Sequence, residues 1–226
     1  MTAASAEVAA AYDDVADLYT SLFARALDDQ PLDRAVIGAF AELVDGGTVA
    51  DLGCGPGAIT AHLAALGLDA FGIDLSPRMI ELARRDHPGL RFARGDLTAL
   101  DLPDGSVDGV LSWYSLIHLP VADVPRALAE FRRVLRPGGH LLAGFFAAGG
   151  EEPVDFDHKV ATARRWPAER MAGLLADAGF AEVGRMEREP REGERFRHGR
   201  LLVQVKDGGG AGQETTDPAP AAPPSA

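Results

Sequence analysis

The chain has 226 residues, of which 46% are hydrophobic and 25% charged, with a formal net charge of −12 and one cysteine, Cys54. That composition is ordinary for a globular domain, excludes an internal disulfide framework and a multi-cysteine metal site, and disfavours a phosphodiester partner, whose non-specific affinity comes from Lys and Arg. No apolar run reaches the roughly 18–20 residues of a membrane helix. "MTAASAEVAAAYDD" has no basic region followed by an apolar core, so neither a signal peptide nor a membrane partner is expected, and the expected location is cytoplasmic.

Residues 5–27 read as one helix or two short ones, with Tyr12, Val15, Ala16, Tyr19, Leu22 and Phe23 at helical spacing. A second amphipathic helix spans Leu32–Leu43 and is stopped by Gly46 and Gly47. Alternation of strands and helices then begins. "TVADL" is a strand, "AITAHLAALG" a helix and "DAFGID" a strand. "SPRMIELARRD" is a helix with Ser76 as N-cap and Pro77 in its first turn. "LRFARGD" and "SVDGVLSWY" are strands, a helix covers Asp123–Leu135, "RPGG" breaks it, and "HLLAGFF" is another strand. Residues 147–166 read as a polar loop or lid. "PAERMAGLLADAG" is a helix, and "FAEVGRMERE" and "RLLVQV" form an antiparallel hairpin at the sheet edge, because no helix fits between them. The pattern predicts an α/β, Rossmann-like, doubly wound sheet with helices on both faces. The division expected is a helical lid over 1–45, a core over 46–206 and a disordered tail over 207–226, where composition collapses to Gly, Pro, Ala and Thr.

The stretch "VADLGCGPG" carries the chemistry. Gly53, Gly55 and Gly57 follow a strand, where ligands bind in open α/β sheets. The spacing departs from G-x-G-x-x-G, and the loop has no Lys, so it is neither a dinucleotide fingerprint nor a P-loop. Asp51 beside it would repel a pyrophosphate, whereas a cationic or zwitterionic ligand suits it. Asp74 ends the next strand, about 20 residues on, where a ribose diol is gripped.

These residues resemble the first motif of the class I S-adenosylmethionine-dependent methyltransferases, small-molecule branch (type 11/25-like). "GIDLSPRMIELAR" resembles their second strand, and "RGDLTALDLPDGSVDGVLSWYSLIHL" their adenine-binding turn and fourth strand. "ALAEFRRVLRPGGHLLAGFF" resembles their following helix, turn and fifth strand, and "AYDDVADLY" an N-terminal helix that closes over the cofactor. The resemblance covers roughly residues 11–206 and implies a seven-stranded, mostly parallel sheet with an antiparallel last strand. It implies S-adenosyl-L-methionine as cofactor and S-adenosyl-L-homocysteine as product. It assigns cofactor contacts to Tyr12, Tyr19, Asp51, Gly53, Cys54, Gly55, Gly57, Asp74, Leu75, Met79, Asp96, Leu97 and Ser112.

Trp113, Tyr114, His118 and His158 fall to the acceptor side, and His118 is the candidate base, needed only if the acceptor must lose a proton. Cys54 reads as a small loop residue rather than a nucleophile. Glu151, Glu152, Asp155 and Asp157 are a candidate amine-attracting run, though such runs are commonly solvated loops. No metal site is expected. The expected reaction is methyl transfer to a small molecule in a monomer or homodimer, oxygen favoured over nitrogen or carbon, with bacterial secondary metabolism as a setting. The competing readings are an RNA or protein methyltransferase, a non-catalytic cofactor-binding protein and a nicotinamide dehydrogenase.

Overall fold

The computed structural model describes residues 3–23 and 27–206. The tail expected over 207–226 lies outside them. In chain order the elements are α1 (Ala3–Phe23), α2 (Pro31–Val44), β1 (Thr48–Leu52), α3 (Ala58–Ala65), β2 (Asp69–Asp74), α4 (Pro77–Asp86), β3 (Arg91–Arg94) and β4 (Val107–Trp113). They continue with α5 (Val124–Val134), β5 (Leu135–Phe146), β6 (Val154–Asp157), β7 (Thr162–Arg165), α6 (Ala168–Asp177), β8 (Phe180–Arg188) and β9 (His198–Val205).

Seven strands form one sheet in the order β3-β2-β1-β4-β5-β9-β8. The first five pair in parallel, while β9 is antiparallel to both β5 and β8. The doubly wound fold expected from the sequence is therefore present, and the last hairpin inserts β9 between β5 and the edge strand β8. Period 2 along β1 sorts its side chains between the faces. Ala50 and Leu52 join the core under α5 and α6, whereas Val49 joins the core under α2 and α3. Local signals set the helix ends as read. Ser76 Oγ accepts a hydrogen bond from Met79 N at 3.0 Å, with Pro77 next in line. Gly67 and Gly179 follow α3 and α6 with positive φ.

Two local readings are corrected. "RPGG" is not a gap between helix and strand: β5 begins at Leu135 directly after α5, and its register with β4 shifts between Val107 and Gly109. Pro137 lacks an N–H and Gly138 sits at φ +74°, so this stretch bulges within the strand instead of ending it. The 147–166 segment is not all loop. β6 and β7 form a separate two-stranded antiparallel sheet, closed by a turn in which Asp157 Oδ1 accepts from Lys159 N at 2.8 Å. Cross-strand pairing, ionic Asp155–Arg164 among it, builds a hairpin from strands too short for alternation to reveal.

No helix among the described residues is long and apolar enough to cross a membrane.

Candidate active site

The carboxyl ends of β1, β2 and β4 open onto one cavity of about 530 Å³, roofed by α1 and walled on its far side by β5, β6 and the β8–β9 loop. Its near end is the glycine loop. Gly53 N and Cys54 N donate to the Ile73 carbonyl at 2.7 and 3.1 Å, Gly57 N to the Cys54 carbonyl at 3.0 Å, and Gly55 N to Asp74 Oδ2 at 2.8 Å. Pro56 has no N–H to give. The loop's amides are thus committed internally, and the cradle of free N–H groups that a phosphate requires is missing here. Close packing demands the outer glycines. A Cβ on Gly53 would lie 2.2 Å from Ser115 Cβ, and one on Gly57 would lie 2.7 Å from the Phe92 ring. A Cβ on Gly55 would meet nothing within 4 Å.

Two carboxylates face this end. Asp74 Oδ1 accepts from Ser76 N at 2.9 Å, which with the Gly55 bond leaves further lone pairs on both oxygens. Asp51 projects to the Val49 face of β1, where Thr60 of α3 donates to its Oδ2 at 2.6 Å. Burial pushes the Asp51 carboxyl up to about 7, against the opposing pull of the Thr60 bond, and burial also raises Asp74. Carboxylates with no cation beside them among the described residues, next to a loop whose amides are committed, suit hydroxyl and ammonium groups. This is the donor set for a ribose and an amino acid, and S-adenosylmethionine fits it. Leu75, Met79, Asp96 and Leu97 line the same end. Asp96 Oδ1 accepts from Thr98 N and Oγ1 at 2.9 and 2.8 Å. Cys54 lines the cavity too, its buried Sγ packed where Gly72 lacks a Cβ, and burial raises its thiol far above the ordinary value.

Tyr12 and Tyr19 reach the cavity from α1 with rings edge-to-face at 5.6 Å. The Tyr12 hydroxyl lies 2.7 Å from His118 Nε2, and His118 Nδ1 lies 3.2 Å from the Thr162 carbonyl. A carbonyl only accepts, so Nδ1 carries the proton and Nε2 accepts from Tyr12. Burial lowers the imidazole to about 4. His118 is therefore neutral near pH 7, and its basic nitrogen is occupied by Tyr12. The bond ties Tyr12 of α1 to the segment that follows β4. His158 stacks edge-on against His118 at 5.1 Å.

Trp113 and Tyr114 end β4 as expected. Gly144, paired with Trp113, makes room for the indole: a Cβ there would lie 2.9 Å from the ring. Tyr114 turns out of the strand at φ +60°, unusual for a bulky residue. Two expected site residues stand behind the wall rather than on it. Ser112 is buried and bonded to Ser115 Oγ at 2.7 Å, and Gly57 serves the Phe92 contact. The remaining expected residues line the one cavity.

The far wall holds what the sequence reading passed over. Arg200, fully buried, makes a bidentate contact to Asp33 of α2 at 3.0 Å to each oxygen, and its Nη2 donates to the Tyr114 hydroxyl at 2.6 Å. Its guanidinium lies over the Trp113 ring at 4.2 Å. The Tyr114 hydroxyl, already accepting from Arg200, donates to His198 Nδ1. Arg188 pairs with Glu194 through bonds of 2.5 and 2.8 Å, which hold that carboxyl down at about 2. One signal was available: Phe196, His198 and Arg200 recur at every second residue leading into β9. Phe196 and His198 fell between the two strands as read, and Arg200 opened the second of them. Among the described residues no group of three or more His, Cys, Asp or Glu is placed to hold a metal ion.

Comparison with known proteins agrees with this geometry. Residues 49–139 match a family described as a methyltransferase domain. The chain is 32% identical over 206 residues to a demethylmenaquinone methyltransferase of Beutenbergia cavernae, covering 79% of this chain and 84% of that protein. It is 40% identical over 137 residues to an uncharacterized 37.1 kDa protein in transposon TN4556 of Streptomyces fradiae, covering 58% of this chain but only 35% of that longer protein. In fold it is similar to a Burkholderia thailandensis 1,6-didemethyltoxoflavin-N1-methyltransferase solved with 1,6-didemethyltoxoflavin and S-adenosylhomocysteine. The TM-score is 0.66, with 24% identity and 92% of each chain covered.

Proposed function

Because this chain belongs to the class I S-adenosylmethionine-dependent methyltransferases, we propose that it methylates a small molecule, at oxygen before nitrogen or carbon, in bacterial secondary metabolism. The observation that carries the small-molecule reading is the continuity of this cavity. One space of about 530 Å³ runs from the glycine loop to the Trp113–Tyr114 wall under α1, the size range of pockets that enclose small ligands, roughly 300–1,000 Å³.

In this reading Asp74 and Asp96 hold the adenosine, Leu75, Met79 and Leu97 flank its base, and Asp51 and the loop receive the amino-acid end. The cofactor, when bound, supplies a methyl group already activated on a sulfonium. The protein's work is then alignment and exclusion of water. Tyr12 and Tyr19 close the roof, His118 fixes Tyr12, and Trp113 and Tyr114 orient the acceptor. The cofactor site's test is calorimetry with S-adenosylhomocysteine. Asp74→Ala removes two hydrogen bonds within the loop as well as the ribose grip, so its Kd rises roughly 30–100-fold, about 2–3 kcal/mol. With labelled S-adenosylmethionine and a bacterial lysate, label enters the low-molecular-mass fraction. Label confined to the RNA or protein fraction contradicts the reading.

A further inference from the structure

Phe146, at the end of β5, is the hub of a cluster of rings. Its ring centroid lies 4.7 Å from Tyr114, 5.4 Å from Phe156, 5.3 Å from His198 and 6.0 Å from both His158 and Phe196. Phe156 and Phe196 touch at 4.8 Å. These six rings come from the end of β4, β5, the β6–β7 hairpin, the β8–β9 loop and β9, and all six line the cavity. Phe146, Phe156 and Phe196 remain only half-buried. Tyr114, Phe146 and Phe156 pack against the core on one side. Apolar area left open costs roughly 25 cal/mol per Å², so rings gathered from five places with their other side facing the cavity form a surface suited to a ligand.

Charge on the same wall is already balanced. Arg200 is matched to Asp33, with side chains 0% and 6% exposed, and Arg188 to Glu194, with 7% and 23%. The hydroxyl of Tyr114 both accepts and donates within the protein. Burial keeps His198 neutral near pH 7 by lowering it to about 4. Arg188 Nε and His198 Nε2 are buried without a hydrogen bond among the described residues, but both flank the Glu194 carboxylate, which would repel an entering carboxylate. An ammonium would find ring faces already taken: Arg200 lies over Trp113 and Tyr114, and Arg165 and Arg195 over Phe196. Lys159 and the same Arg195, exposed where they line the cavity, would also repel it.

The geometry points to an uncharged, flat aromatic acceptor, a neutral phenol, inserted among the rings around Phe146. This deepens the methyltransferase reading and rests on it for the reaction, but the slot itself belongs to the protein alone. Asp33, Arg200 and Tyr114 preorganise it: the bonded chain from α2 through β9 fixes the Tyr114 ring in its left-handed backbone position before any acceptor arrives.

The test is calorimetry with four matched probes, 2-naphthol, decahydro-2-naphthol, 2-naphthoate and 2-(aminomethyl)naphthalene, run with and without S-adenosylhomocysteine. The expected result is that 2-naphthol binds at least tenfold more tightly than each of the other three. Phe146→Leu should weaken 2-naphthol at least fivefold and leave S-adenosylhomocysteine within twofold. Equal or tighter binding of the saturated alcohol, the carboxylate or the amine overturns the inference, as does no binding of 2-naphthol. Failure of S-adenosylhomocysteine to bind counts instead against the functional reading, and the probe series in the unloaded protein still decides this one.

Discussion

Gly53 and Gly55 stand two residues apart in one loop, and their alanine variants should fail in different ways. At Gly53 a methyl group would sit inside Ser115 on a backbone at φ +82°. Overpacking and left-handed strain together cost roughly 3 kcal/mol, so Gly53→Ala should melt about 10 °C lower. At Gly55 the methyl group enters open cavity at φ +52°, with a strain cost of about 1 kcal/mol. Gly55→Ala should therefore keep its fold, melting only a few degrees lower, while S-adenosylhomocysteine binding weakens roughly tenfold or more because the space is filled. Thermal scans paired with calorimetry separate the two. Similar melting losses in both variants would mean that the loop is only a turn. The sequence displayed the loop and the Asp51 and Asp74 carboxylates plainly, since each sits at a strand end that alternation defines. It did not display the Arg200–Tyr114–His198 chain, because those partners meet only when β9 inserts beside β5.

Helix α1 packs on α4 and is tied to it by specific contacts. Ala16 packs with Met79 and Leu82 of α4, while Asp13 Oδ1 accepts from Ser76 Oγ and Arg78 N at 2.5 and 3.2 Å. Arg78 also pairs with Asp17, but that pair is exposed and contributes little. The tie at the cavity is the Tyr12–His118 bond. Tyr12→Phe and His118→Ala should each speed hydrogen exchange in α1 and raise the Kd of S-adenosylhomocysteine severalfold. The double variant should add nothing, since one bond is lost in either case. Turnover against pH should keep its shape in all three. Loss of an inflection in His118→Ala alone would mean that this residue acts as a base. The other element-scale lesson is β6–β7. Its four-residue strands are held by cross-strand and tertiary contacts, among them Phe156 against Phe146, and nothing local in "VDFD" or "TARR" announces them.

Across the whole molecule, proton binding sets a distinctive pH response. His118 and His198 are both lowered to about 4 in the fold, from an ordinary value near 6.5. The unfolded chain therefore binds more protons between those values, and stability falls as pH drops from about 6.5 toward 4. Asp51 acts oppositely. Its carboxyl titrates at about 7 in the fold and near 4 when unfolded, so its contribution to stability rises as pH falls through that window. Asp51→Asn should accordingly show a steeper acid limb in a melting-temperature series than the unaltered protein. An unchanged limb would mean that Asp51 is already ionised at neutral pH. The same group links the cofactor to pH: an ammonium beside Asp51 favours its charged form, so S-adenosylhomocysteine should bind more tightly as pH rises from 6 to 8. The parallel sheet, the helices on both its faces and the antiparallel closing hairpin were readable from alternation and turn residues. The far wall was not, because a cavity assembled from five separated segments leaves no period in the sequence.

The central claim is that one cavity has a cofactor end at the glycine loop and an acceptor end at Phe146. A crystal structure with S-adenosylhomocysteine tests it most directly. The account predicts ribose oxygens on Asp74, the adenine between Leu75, Met79 and Leu97, and the sulfur directed toward Trp113 and Tyr114 with the aromatic end still open. An adenosine seated among Phe146, Phe156 and Phe196, or a ligand outside the cavity, would contradict it.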